Sequence, residues 1–349
     1  QVIIKLYMQR EVTRSWALFL GIGTIMIAHG LQMQVMGIRS VNENFNLITT
    51  GIFMSGYFIG YFLGSQTTPK LVQKVGHIRV FAAFASLASL SALLAAVYVN
   101  PVMWTFSRFI TGISLVSCYI VAESWLNDRA TNKNRGQLLS AYMIILFGGL
   151  ALGMLLLNVS NPNSYEPFIL VSVLLSLALV PILLTKRSAP KFKKIGTISI
   201  KELYKISPLG TISSFCTGLI HSAFFSLIAV YATTSNFTLF ETSILLFMAT
   251  IAGVIFQGPI GYFSDKTQSK WGRRHPWMYA SAIPVAISFF LIWDPPENLS
   301  QIQLFWFLLI IGAVIRTAIT IYEIPSNALG PELSKDYVAV SYTHLRAHE

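Results

Sequence analysis

The sequence predicts an all-α, polytopic membrane protein: a six-helix bundle, a basic connection and a partial, four-span second bundle, with the N-terminus on the cytoplasmic side. Three observations carry this. Of the 349 residues 54% are hydrophobic and only 11% charged, whereas a soluble domain carries roughly 25% charged residues. Apolar runs of about 20 residues recur, the length at which a helix crosses a hydrocarbon core. With the N-terminus inside, the inside segments hold 22 of the 25 Lys and Arg, and that bias sets orientation.

Ten spans follow in order: 16–38, 47–67, 80–99, 102–122, 137–158, 167–184, 209–232, 242–262, 277–293 and 302–324. Each must be helical, because lipid offers no partner for loose backbone groups. The first run follows Lys5, Arg10 and Arg14 and is too long for a signal-peptide core, so it reads as a retained span. The chain opens on Gln1, and its true start is expected upstream. Arg39 falls in an outside loop, whereas Arg108 and Arg316 lie within spans. Residues 1–184 therefore form the six-span bundle. Residues 185–208, containing TKRSAPKFKKIGTISIKELYK, form a solvated basic loop held near anionic headgroups. Residues 209–337 form the partial second bundle, and 338–349 a tail.

The net charge of +11 does not indicate nucleic-acid binding, because the cations are dispersed over short loops instead of gathered on one soluble face. Cys118 and Cys216 each sit in an apolar span and read as packing residues without a disulfide framework. There is no Walker pattern, no H-E-x-x-H and no G-x-S-x-G. No catalytic residue, cofactor or metal is expected, and the chain is not read as an enzyme.

Two basic loops occupy matching places after paired spans, Gly64–Arg79 (GSQTTPKLVQKVGHIR) and Gly261–Arg274 (GYFSDKTQSKWGRR), a sign of internal duplication. They resemble the signature loop of the major facilitator superfamily, G-x-x-x-D-[RK]-x-G-[RK]-[RK], although Thr68 stands where the first loop would carry Asp. Residues 1 to about 262 resemble the YcaD-like branch, through SGYFIGYFLG (Ser55–Gly64), VGHIRVF (Val75–Phe81), AESWLNDRATNKNRG (Ala122–Gly136) and LALGMLLLN (Leu150–Asn158). From about Gly261 the resemblance changes. SDKTQSKWGRRHPW (264–277) and YEIPSNALGPELSKDY (322–337) resemble the glycoside–pentoside–hexuronide:cation symporters, where these motifs follow the second and fourth spans. The acidic residues which that family carries just before this loop are replaced here by Gln257, Gly258 and Pro259. VAVSYTHLRAHE (Val338–Glu349) resembles translated sequencing-adapter read-through. The pattern reads as an assembly chimera of two transporter genes joined near 261–266; a divergent transporter with a truncated end is the alternative.

The resemblance implies roles for several residues. The cytoplasmic gate would comprise Gly64, Gly76, Arg79, Glu123, Arg129, Gly261, Asp265, Lys266, Gly272, Arg273 and Arg274. Asp265 can pair with Arg273 or Arg274, or face a neighbouring helix N-terminus. Such contacts form in one arrangement and break in another; the plainer reading is an ordinary basic loop. A charge within the bilayer costs about 2.5–3.5 kcal/mol on insertion scales, so Arg108 and Arg316 face a cavity or a partner. Arg108 resembles a fourth-span arginine tied to proton or substrate coupling; a structural pair is its alternative. His29 and Gln32 share a face of the first span, with Gln34 pointing elsewhere. His29, Gln32 and His221 are candidates for the solute or proton pathway, interhelical hydrogen bonding being the alternative. Glu323 with Pro325 is expected to end the tenth span. Trp16, Trp104, Trp293 and Trp306 read as interface anchors.

The function so implied is secondary active transport of a small solute by alternating access, as symport with a proton as coupling ion, in the plasma or inner membrane. A sugar:cation symporter is the alternative. A function of another class is a non-transporting scaffold or a non-functional fragment, since ten spans would leave a central cavity short of one wall.

Overall fold

The computed structural model describes residues 15–129, 135–185, 201, 204–205, 208–270, 272 and 274–333, without the side chains of 129, 135–137, 139, 209–210 and 327–333. The described residues are helical between short turns. Among the described residues ten helices, the fifth and sixth taken with the short turns that continue them, are long and apolar enough to cross a membrane: α1 (Trp16–Asn42), α2 (Leu47–Val75), α3 (His77–Val97), α4 (Pro101–Arg129), α5 (Arg135–Leu155), α6 (Glu166–Leu177), α7 (Pro208–Thr234), α8 (Leu239–Lys266), α9 (His275–Trp293) and α10 (Gln301–Leu333). A 3-10 turn, Leu156–Asn158, continues α5, and the short helix Leu179–Leu183 continues α6 past Ala178. The chain divides after Lys194 into two compact units.

In the first unit α2 packs along α4, α1 along α5, and α3 against both α4 and α6. Small residues set the closeness of these seams. A methyl group added at Gly60 would lie 2.0 Å from the Phe109 carbonyl oxygen, and one at Gly112 would lie 1.9 Å from that of Tyr57. The α1–α5 seam is built alike, with Gly30 against Leu150 and Gly153 against Ile27. Helices in lipid gain little from hydrophobic burial against each other, so close backbone packing does this work. In the second unit α10 packs along α8 and α9. Ile48 and Val102 are each 77% exposed, as expected of side chains that meet acyl chains instead of water.

Both units repeat the same turn chemistry. Asn44 (φ 56°) and Asn236 (φ 61°) adopt the left-handed conformation after the first helix of each unit. Two residues on, Asn46 and Thr238 cap the next helix, accepting from the Thr49 and Glu241 amides. The sequences N-F-N-L (44–47) and N-F-T-L (236–239) thus encode one device twice, a turn residue tolerant of positive φ followed by a hydroxyl or amide cap. At the other end, Gly76 (φ 88°) and Gly272 (φ 89°) occupy matching connections.

Several expectations are corrected. The first signature loop is mostly helix: α2 runs to Val75, and Gly76 alone separates it from α3. Likewise Gly261–Lys266 belongs to α8. A helix leaving the bilayer persists where a cation ends its last turn, as Lys74 and Lys266 do here, because they offset the negative end of the helix dipole. Pro325 does not end α10, which continues to Leu333. A proline removes one N–H, and membrane helices absorb that loss because unwinding would expose far more backbone. Arg39 lies in the last turn of α1 instead of a loop, with its guanidinium donating to Glu43 and to the Ser164 carbonyl. Trp104 is no interface anchor: it is fully buried among Phe45, Phe53 and Phe168, and its indole N–H donates to the Ala95 carbonyl at 3.0 Å. Cys118 is buried, but Cys216 is exposed on α7.

Candidate functional site

The first unit gathers polar side chains from four helices around Arg108. Arg108 on α4 is fully buried, with its guanidinium carbon 4.7 Å from the centre of the Tyr57 ring on α2. The opposing position on α2 is Gly56, which leaves room for the Arg108 stem. His29 on α1 stacks on the same Tyr57 ring at 5.1 Å. Three residues on, the Gln32 amide reaches Thr111 Oγ1 at 3.5 Å. Thr111 in turn meets Ser91 Oγ on α3 at 2.8 Å, and Ser107 Oγ donates to the Ser91 carbonyl at 2.6 Å. The structure therefore brings together three sequence-predicted residues, His29, Gln32 and Arg108, and adds Tyr57 and Thr111. The sequence signal for Tyr57 was the Gly56–Gly60–Gly64 spacing, which marks the helix face where α2 meets α4 and places Tyr57 beside it. Gln34 is buried but makes no hydrogen bond among the described residues.

The second unit carries a parallel arrangement with different chemistry. His221 on α7 lies 3.2 Å, Nδ1 to Oε1, from Glu323 on α10, and its ring packs on Phe225 at 4.7 Å. Arg316 is fully buried, with its guanidinium carbon 5.0 Å from the centre of the same ring. Glu323 stands two turns further along α10 from Arg316. Tyr322 bonds with Ser213 and Ser214 on α7. An ionised carboxylate can only accept, so the imidazole Nδ1–H donates to it; with Glu323 protonated the direction can reverse. A shared proton inside a span is the chemistry this pair offers. Reading Glu323 as a helix terminator had missed it.

The gate residues divide. Asp265 pairs with Arg274 at 2.9 Å; of the two arginines offered to it, Arg273 lies outside the described residues. Gly272 makes the turn between them by its positive φ. Lys266 packs on and bonds with Tyr262. Gly261 faces Ile324 on α10. In the first unit Gly64 packs against Ile113 and Val116, and Thr68, in the place of the motif's Asp, bonds with Ser117 Oγ at 2.7 Å. The first loop is thus held to α4 by neutral hydroxyls. Arg79 is exposed, and neighbouring His77 meets Ser124 Oγ at 3.0 Å. Glu123 accepts from the Tyr142 hydroxyl at 3.4 Å. The side chain of Arg129 lies outside the described residues.

Ten membrane-length helices among the described residues, with capped turns in both units and a His and an Arg on the first and fourth helix of each, define a polytopic membrane protein. The model of the Major Facilitator Superfamily matches residues 18–344, and the chain belongs to that superfamily. The uncharacterized MFS-type transporter YcaD of Escherichia fergusonii is 27% identical over 220 residues, 62% of this chain and 57% of that protein. YcaD of Escherichia coli O6:K15:H31 is 26% identical over 257 residues, 69% of this chain and 66% of its own. The chain thus spans less than two thirds of the length of these relatives. A bacterial homologue of the human lysosomal transporter Spinster, inward-facing and occupied, superposes with a TM-score of 0.73 at 13% identity, over 97% of this chain and 78% of that one. The D-xylose–proton symporter gives 0.73 at 13% identity, over 96% of this chain and 87% of its own. At such identities the likeness is one of fold.

Proposed function

We propose that this protein is a secondary transporter of a small solute, working by alternating access in the plasma or inner membrane with its N-terminus in the cytoplasm, and that a proton is its coupling ion. One observation carries the coupling: a carboxylate and an imidazole, Glu323 and His221, meet at 3.2 Å within membrane-spanning helices. Intramembrane ionisable groups are costly and by default functional, and a His–Glu pair holds or releases one proton with little rearrangement. Arg316 lies on the same helix as Glu323, with its guanidinium over the Phe225 ring on which His221 packs. The Arg108 cluster receives the solute, and the Asp265–Arg274 pair acts as a cytoplasmic latch. Relatives of this superfamily carry small molecules, often with a coupling ion, which supports the class. The sugar:cation alternative rests on residues 264–277 and 322–337. It is weakened by Gln257–Gly258–Pro259, which supply no carboxylate.

The test is flux in proteoliposomes holding the purified chain, with a panel of radiolabelled solutes and an imposed pH gradient. Uptake that collapses on adding an uncoupler supports coupling. Glu323→Gln is expected to abolish accumulation while sparing downhill exchange. Accumulation by Glu323→Gln equal to that of the parent would remove Glu323 from the proton path.

A further inference from the structure

We propose that the Arg108 cluster is an oxyanion site, and that the solute handled by this chain carries a carboxylate. This rests on the solute-transport reading above and adds the chemical class of the cargo. Arg108 is fully buried. Its guanidinium keeps its charge and presents five N–H donors in a planar fork. Among the described residues none of its three nitrogens has a hydrogen-bond partner, and none of the ion pairs includes it. The Tyr57 ring at 4.7 Å attracts the cation through its π face, yet a ring cannot accept all the N–H bonds that lie in the guanidinium plane. The fork is left as a carboxylate would meet it, plane to plane.

The surroundings agree. His29 Nδ1 and Gln32 Oε1 are buried without partners, and the Gln32 amide reaches Thr111 only at 3.5 Å, the weak end of the range. Gln32 can therefore turn its amide to an incoming oxyanion without giving up a strong bond. The second unit places its carboxylate differently. There a carboxylate stands seven residues further along the buried arginine's own helix, Glu323 after Arg316. The position seven residues after Arg108 is Leu115, and the carboxylates of α4, Glu123 and Asp128, stand near its far end, where Glu123 accepts from Tyr142. A buried cation with no ion pair among the described residues is matched by a cargo that brings the negative charge. A sugar or nucleoside hydroxyl offers acceptors but leaves that charge in place.

The experiment uses the full 349-residue chain in nanodiscs, labelled with 15N-arginine. Buried guanidinium Nε–H groups exchange slowly and give resolved cross-peaks; the one lost in Arg108→Lys is assigned to Arg108. If that variant does not fold, Gln32→Met and Thr111→Ala identify the same peak by displacing it. Formate and acetate are the probes, being small enough for any carboxylate site, with formamide and acetamide as neutral counterparts. We expect the Arg108 peak to move saturably with both carboxylates and with neither amide, and Gln32→Met to weaken formate binding ~10-fold, the loss of one charge-assisted hydrogen bond. A peak indifferent to formate, or equally sensitive to formamide, overturns the inference. Flux assays separate this from the transport reading. Uncoupler-sensitive uptake of a neutral solute, unchanged in Arg108→Gln, leaves transport standing and sinks the oxyanion site. A formate response without flux of any solute does the reverse.

Discussion

Gly112→Ala tests whether the α2–α4 seam holds the Arg108 cluster in place. The added methyl would sit 1.9 Å from the Tyr57 carbonyl oxygen. Ordinary contact requires the two backbones to part by about 1.5 Å, and a gap of that size forfeits more than half of the dispersion well for the atoms along the seam. Overpacking of this kind costs about 1–3 kcal/mol. Loss of the neighbouring close approach at Gly60, where a Cβ would meet the Phe109 carbonyl at 2.0 Å, adds to it, for a total of about 2–4 kcal/mol. The carbonyl displaced is that of Tyr57, whose ring lies over Arg108, so the site moves with the seam. The control is Gly148→Ala: a Cβ there meets nothing within 4 Å, and the change is expected to be neutral or stabilising by up to about 1 kcal/mol. Unfolding of the purified chain by added SDS, followed by far-UV circular dichroism, compares the two. Equal midpoints for Gly112→Ala and Gly148→Ala would refute the reasoning.

Asp265→Asn removes the ion pair to Arg274 at 2.9 Å. Because Asp265 is 61% exposed, stability should change by less than about 1 kcal/mol while proteoliposome flux falls; unchanged flux would make the pair an ordinary surface contact. Trp104→Ala should cost about 3–5 kcal/mol in the same unfolding assay, as for other fully buried aromatics. A cost under about 1 kcal/mol, typical of an exposed site, would restore Trp104 to the membrane interface.

Much was legible in the chain before its fold. Run length, the scarcity of charge and the placement of cations specify an all-helical membrane protein with ten spans, since continuous apolar runs of about 20 residues suit a spanning helix and not the shorter, alternating strands of a barrel. His29, Gln32, Arg108, His221 and Arg316 were legible for the same reason: a polar side chain within an apolar run is costly enough to stand out. The ends of the spans were not. Helix α2 outlasts its apolar run by a further eight residues, to Val75, because dipole compensation and capping, not hydropathy, decide where a helix stops. Pro325 was misjudged on a rule that holds in water and relaxes in lipid. Tertiary structure alone decided the partnerships. That Tyr57 lies over Arg108 depends on how closely two glycine-bearing helices approach, and that His221 meets Glu323 depends on the rotation of α7 against α10. Those are distances across helices, set by side-chain volume at seams that a single sequence does not display. The residue types that bear charge were therefore written in the chain, while which side chain each of them meets emerged only when the helices were packed.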